Sequence, residues 1–221
     1  MIRMSAMDPQ AFVNELEAFK AQRLAPLFGA GATSLGGEAE PKQLLQVALV
    51  NEISVSDLAA VWIPSTREVD VKIAFARQAG DEANHFNLVA DRLTALGFDV
   101  AAFQQPADNA LFAYMKTLSN TVERIAAGLF TLESIAHGVN ENFMAYCAAR
   151  GDDETVRIYR DYIQPDELAH QRLGTTLLAK YAVTTELQTT ARDAVAKVVE
   201  IAVASRAQAA VKLGTACFPG C

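Results

Sequence analysis

The chain has 221 residues, 51% of them hydrophobic and 20% charged, a balance that fits one globular domain with a sizeable core and excludes a disordered chain. A net charge of -7 argues against binding a phosphate backbone, so nucleic acid is not expected as a partner. Three cysteines are too few for a disulfide scaffold, the N-terminus has no apolar signal core, and no uninterrupted apolar run reaches the ~20 residues of a membrane span, so a soluble cytoplasmic protein is expected.

Residues 8–26 read as a helix, opened by Asp8 as N-cap and Pro9 in the first turn, with Phe12, Leu16 and Phe19 as its apolar stripe. The glycine-rich stretch from Phe28 to Glu38 reads as a linker. It is not a phosphate cradle, because no strand precedes it and no Gly-Lys-Ser/Thr follows. Helices are predicted over about 42–63, 68–96, 108–149 and 153–181, and Pro165 should kink the last of these. A further helix over 184–213 should pack outside the others, and the tail Cys217-Phe218-Pro219-Gly220-Cys221 reads as frayed rather than as a redox pair. No strand pattern emerges, so the class is all-α. One domain is expected, with an N-terminal helix and linker over 1–41, a four-helix unit over 42–182, and a C-terminal helix and tail over 183–221.

Two stretches on these helices repeat each other. Asp81-Glu82-Ala83-Asn84-His85 and Asp166-Glu167-Leu168-Ala169-His170 both read Asp-Glu-x-x-His, and they hold two of the chain's three histidines. Residues three apart share a helix face, so each Glu and His can grip one ion. Glu52 and Glu133 stand alone on otherwise apolar helices. The midpoint between Glu52 and Glu82 falls near Pro64-Ser65-Thr66, and that between Glu133 and Glu167 adjoins Gly151-Asp152-Asp153. Turn residues therefore sit where an antiparallel fold-back would bring each lone glutamate level with a motif.

Four carboxylates on apolar faces need neutralising. Burying each costs several kcal/mol even after relaxation, and four unpaired ones could exceed a domain's whole stability. No lysine or arginine is spaced to pair with them, whereas two divalent ions would balance all four. Mixed carboxylate and imidazole ligation suits iron or manganese. Tyr159 and Tyr162, shortly before Glu167, read as core packing rather than as redox tyrosines.

A glutamate from each of two helices, with Glu-x-x-His from each of two others, resembles the ferritin-like di-iron or di-manganese carboxylate superfamily over residues 42–182. The resemblance implies a ferritin-like four-helix bundle with added N- and C-terminal helices. It implies two iron ions (manganese or a mixed Mn/Fe centre being the alternatives) held by Glu52, Glu82, His85, Glu133, Glu167 and His170. Which glutamates bridge is not readable from the residues, and the resemblance favours those of the motifs. It also implies that Asp81 holds His170 and Asp166 holds His85, each accepting a ring N–H. His137, one turn beyond Glu133, is a candidate pocket acid/base or extra ligand, but reads rather as a structural histidine.

The expected function is a di-iron oxidase or monooxygenase that uses dioxygen and an external electron donor on a small, largely apolar organic substrate. Ala136, Met144, Gly174 and Leu178 are candidates to line its cavity, Gly174 reading also as a site of close helix packing. The alternatives are an iron-handling protein (ferroxidase, bacterioferritin-like store or peroxide scavenger) and a metal-stabilised bundle without turnover. Any of these is compatible with a homo-oligomer.

Overall fold

A computed structural model describes residues 6–28 and 39–220, and every element among them is helical. The glycine-rich linker, Phe28 apart, lies outside the described residues, as does Cys221. Helix α1 (Pro9–Phe28) starts where Asp8 Oδ1 accepts the N–H groups of Gln10 and Ala11. Helix α2 (Pro41–Trp62) has a proline in its first turn, and the Glu40 N–H is held by the Gln43 side chain. After the turn through Pro64 and Ser65 comes α3 (Val69–Ala95), packed along α2.

The long helix expected over 108–149 is two helices. The first, α4 (Ala110–Lys116), ends before Asn120, which caps its successor. The Asn120 side chain accepts from Val122 N–H, and Glu123 accepts the Asn120 N–H in return. That reciprocal cap satisfies the start of a new helix and stops α4 from running through. Helix α5 (121–148) follows and contains a π-helical segment, Ala126–Leu132. Gly151, at φ +72, makes the turn, with Asp152 as the next N-cap.

Helix α6 (153–181) widens into a second π segment, Tyr159–Ile163, immediately before Pro165. Here the Gln164 N–H reaches the Tyr159 carbonyl, five residues back. The N–H that proline lacks is thus lost at a change of helical register, and the helix runs on through it. Helix α7 (Thr185–Leu213) lies against α1, α4 and the π segment of α5.

Two apolar cores result. Val55, Leu58 and Trp62 pack with Phe75, Leu129 and Leu178 in one; Leu45, Leu49, Val89, Phe143 and Ile163 pack in the other. Helices α2, α3, α5 and α6 each pass from one core to the other, and Glu52, Glu82, His85, Glu133, Glu167 and His170 lie between, all buried. Helix α2 is long and apolar enough to cross a membrane, but most of its apolar window is buried inside this molecule and it carries Glu52.

The tail is not frayed through Gly220. Cys217 and Phe218 are buried, and the Arg206 guanidinium donates to the carbonyls of Phe218 (2.6 Å) and Gly220 (2.7 Å). The Gly220 N–H donates to Asn140 Oδ1 at 3.0 Å. Glycine is required there, because φ is +77 and a Cβ would lie 2.5 Å from Asn51 Nδ2. Short-range pattern could not show this, since the partners lie on α2, α5 and α7.

Candidate metal centre

The six ligand candidates, read from two motifs and two lone glutamates, come together in one layer. Glu52, Glu82, His85 and Glu167 form one group whose donor atoms lie within 4.8 Å of one another. Glu82, Glu133, Glu167 and His170 form a second group of the same kind. Glu82 and Glu167 belong to both, so the groups are adjacent and share their two motif glutamates. Each group can hold a metal ion.

The local distances follow the same symmetry. His85 Nδ1 faces Glu52 (3.6 Å) and Glu82 (3.4 Å). His170 Nδ1 faces Glu82 (3.5 Å) and Glu133 (3.7 Å). The opposite ring nitrogens point outwards: His85 Nε2 is 3.2 Å from Asp166 Oδ2, and His170 Nε2 is 3.0 Å from Asp81 Oδ2. Each aspartate thus serves the histidine of the other motif. An ionised carboxylate only accepts, so Nε2 carries the proton and Nδ1 is the nitrogen that can bind a cation. Both aspartates are partly exposed, whereas both histidines are buried.

The interior atoms of this layer fit a metal better than they fit one another. Glu82 Oε1, His85 Nδ1, Glu167 Oε2 and His170 Nδ1 are buried with no hydrogen-bond partner among the described residues. Unpaired buried polar atoms cost about 1–3 kcal/mol each, more when charged. Among the described residues, the ion-pair partners of Glu52, Glu82 and Glu133 are the two histidines alone. Cations between the groups would satisfy all of these atoms at once.

Without metal, protons carry out part of that neutralisation. Burial alone would push both imidazoles down, but the facing carboxylates outweigh it and hold His85 and His170 at about 11. Burial drives Glu52 and Glu167 upward, and for Glu167 the neighbouring glutamates add to the rise. Glu82 feels the same burial, yet its contacts with both histidines keep it below the usual carboxylate range. Such opposed shifts within one buried cluster are typical of sites built for charge.

One residue of this layer escaped the sequence reading. Gln78 Nε2 donates to Glu133 Oε1 in a short contact and so orients that carboxylate. Its signal was present, because Gln78 precedes Glu82 by one turn on the inward face of α3. Tyr159 is in the core as expected, its ring edge-on against Phe143 at 5.1 Å. Its hydroxyl is unpartnered among the described residues, and burial, reinforced by Glu52 and other nearby anionic groups, raises its pKa well above the ordinary value.

Three readings need correction, and a fourth candidate, His137, follows its structural alternative. His137 belongs to neither group; its ring is half-buried, and its backbone carbonyl accepts from Gln164 Nε2 at 3.1 Å. Tyr162 is not in the core: it is 46% exposed, because the π segment turns it outward beside Arg157. Gly174 leaves no room for substrate: a Cβ there would lie 2.7 Å from the backbone of Leu129 and Phe130, so glycine serves the close approach of α6 to α5. Met144 and Leu178 cannot line one cavity, because they pack in different cores on opposite sides of the polar layer.

No curated protein and no solved structure matches the chain. A family model described as protein of unknown function (DUF455) matches residues 52–209, a span that starts at Glu52 and contains all six candidate ligands. Because that match covers most of the chain, the protein belongs to the DUF455 family.

Proposed function

We propose that the layer binds two iron ions in a ferritin-like bundle and that the protein is a di-iron oxidase or monooxygenase for a small, largely apolar organic substrate. The supporting observation is the donor arrangement: two adjacent groups, each with one histidine and one glutamate of its own, share Glu82 and Glu167. Held by these six residues, a pair of ferrous ions would supply electrons for the reduction of dioxygen. Glu52 and Glu133 hold the outer positions, and Gln78 fixes the carboxylate of Glu133. Asp166 and Asp81 keep each Nε2 protonated, which leaves Nδ1 for ligation. The apolar cores on both sides keep bulk water from the layer.

A second reading, iron handling, draws on a different observation. Asp81 and Asp166 are partly exposed yet touch the buried histidines, so each offers an acidic step from the surface to one group. Anaerobic loading with Fe(II), followed by oxygen, separates the two readings. An oxygenase keeps its metals, so oxidation is expected to stop near two equivalents per chain and to resume only with a reductant. Oxidation of tens of equivalents into a mineral would overturn the oxygenase and establish the ferroxidase.

A further inference from the structure

Glu133 sits where α5 changes register. Its N–H donates to the Gly128 carbonyl, five residues back, and the residues after it return to α-helical spacing. π segments are rare and occur mostly as single turns inside α-helices, often at functional sites, so the contacts that hold one in place matter. A slip of one residue turns a helix face by about 100°. If this segment relaxed to α spacing, the Glu133 carboxylate would swing away from the polar layer.

One side chain from another helix grips this junction. Lys20 of α1 is only 1% exposed. Its ammonium donates to the Phe130 carbonyl at 2.9 Å and to Ser134 Oγ at 2.6 Å, and Ser134 Oγ itself donates to the Phe130 carbonyl at 2.7 Å. The three groups close a triangle that spans Glu133 in sequence. The ammonium also stands 3.7 Å over the Phe130 ring and pairs with Glu17 at 2.9 Å. Within the segment, Thr131 Oγ1 donates to the Ala126 carbonyl, again five residues back. Burial opposes the charge on Lys20, and its pKa is lowered accordingly. Simple packing of α1 needs no ammonium, because an apolar side chain fills such a position at lower desolvation cost.

We infer that Lys20 is a positioning residue: it locks the π-to-α junction of α5 and thereby sets where the Glu133 carboxylate lies in the polar layer. The ligand consequence rests on the two-metal reading, and the structural consequence does not. Lys20 touches no ligand atom, so its effect on metal must pass through the backbone of 130–134.

The test compares wild type with Lys20→Met, using Mn(II) alone as the probe in calorimetric titration, and hydrogen exchange of the metal-free proteins. Lys20→Met is expected to keep its helical circular dichroism and one tight site, while the second ion binds at least tenfold more weakly. Exchange of the amides at 128–135 should quicken while those of α2 and α3 stay unchanged, and Lys20→Arg should restore most of both readouts. Ser134→Ala, which removes one corner of the triangle, should weaken the second ion by a smaller factor, and it carries the test if Lys20→Met does not fold. Two ions bound as in wild type, with unchanged exchange at 128–135, would overturn the inference. If wild type binds no Mn(II), the metal reading falls, and the exchange comparison alone decides the role of Lys20.

Discussion

The two hairpins that meet at the polar layer are built differently. Helices α2 and α3 are uninterrupted, and α3 follows plain helical spacing: Gln78, which orients Glu133, and the candidate ligands Glu82 and His85 recur at four and three residues on one face. Helices α5 and α6 each pass through a π segment just before a candidate-ligand glutamate, Glu133 or Glu167. The first hairpin therefore places its carboxylates by local periodicity. The second places them next to backbone irregularities, and the one in α5 is gripped from outside the hairpin by Lys20 of α1. Yet the two hairpins deliver equivalent donors, one lone glutamate and one Glu-x-x-His each.

The largest effect should come from glutamates that belong to both groups. Glu82→Ala and Glu167→Ala, one from each hairpin, should each weaken both ions by about a hundredfold or more, given that even residues behind the ligands are worth 10–100-fold. Glu52→Ala and Glu133→Ala should weaken one ion strongly and the other much less. Mn(II) titration of the four variants checks this. A single-ion loss for Glu82→Ala would remove the sharing on which the account depends.

Two glycines sharpen the structural contrast. Gly174→Ala forces a methyl against the α5 backbone and should cost about 1–3 kcal/mol, the usual range for overpacking. Gly80, mid-helix on α3, has open space where a methyl would go, with nothing within 4 Å, so Gly80→Ala should stabilise by about 0.5–1 kcal/mol through helix propensity. Thermal melts should shift in opposite directions, by roughly 2–4 °C per kcal/mol for a chain of this size. A harmless Gly174→Ala would mean that the helices are not held this close.

The smallest effect should be alike in both hairpins. His85 and His170 both titrate at about 11 in the folded metal-free protein, against 6.5 for the free side chain. Between those values the folded state holds more protons than the unfolded one, so metal-free stability falls as pH rises. The upward shifts of Glu52 and Glu167 act in the same direction. Metal must displace these protons, so its affinity and the rise in Tm it causes should grow from about pH 6.5 to about pH 9. Melting curves with and without Mn(II) across that window check the sign, and a metal-induced rise that shrinks with pH would contradict it.

What could be read from the chain divides along the same line. The repeated Asp-Glu-x-x-His, the lone glutamates and the turn residues between them are local signals, and the structure brings those residues together. The Asn120 cap and Gln78 also left local signals, in a cap-forming Asn-Thr-Val-Glu and in one-turn spacing to Glu82. The π segments and the buried tail left none, and Gly174 inside a helix spoke equally for close packing and for substrate space. Each depends on partners far along the chain: Phe130 on Lys20, Gly220 on Asn51 and Asn140, and Gly174 on Leu129. Periodicity carries no information about such partners.

The ligand sharing and the growth of metal affinity with pH both require that the polar layer take two cations. Equilibrium dialysis of the metal-free, folded protein against Fe(II) without oxygen, or against Mn(II), followed by elemental analysis, measures this directly. About two ions per chain are expected, falling to about one in Glu133→Ala. One ion or none in folded wild-type protein would contradict it.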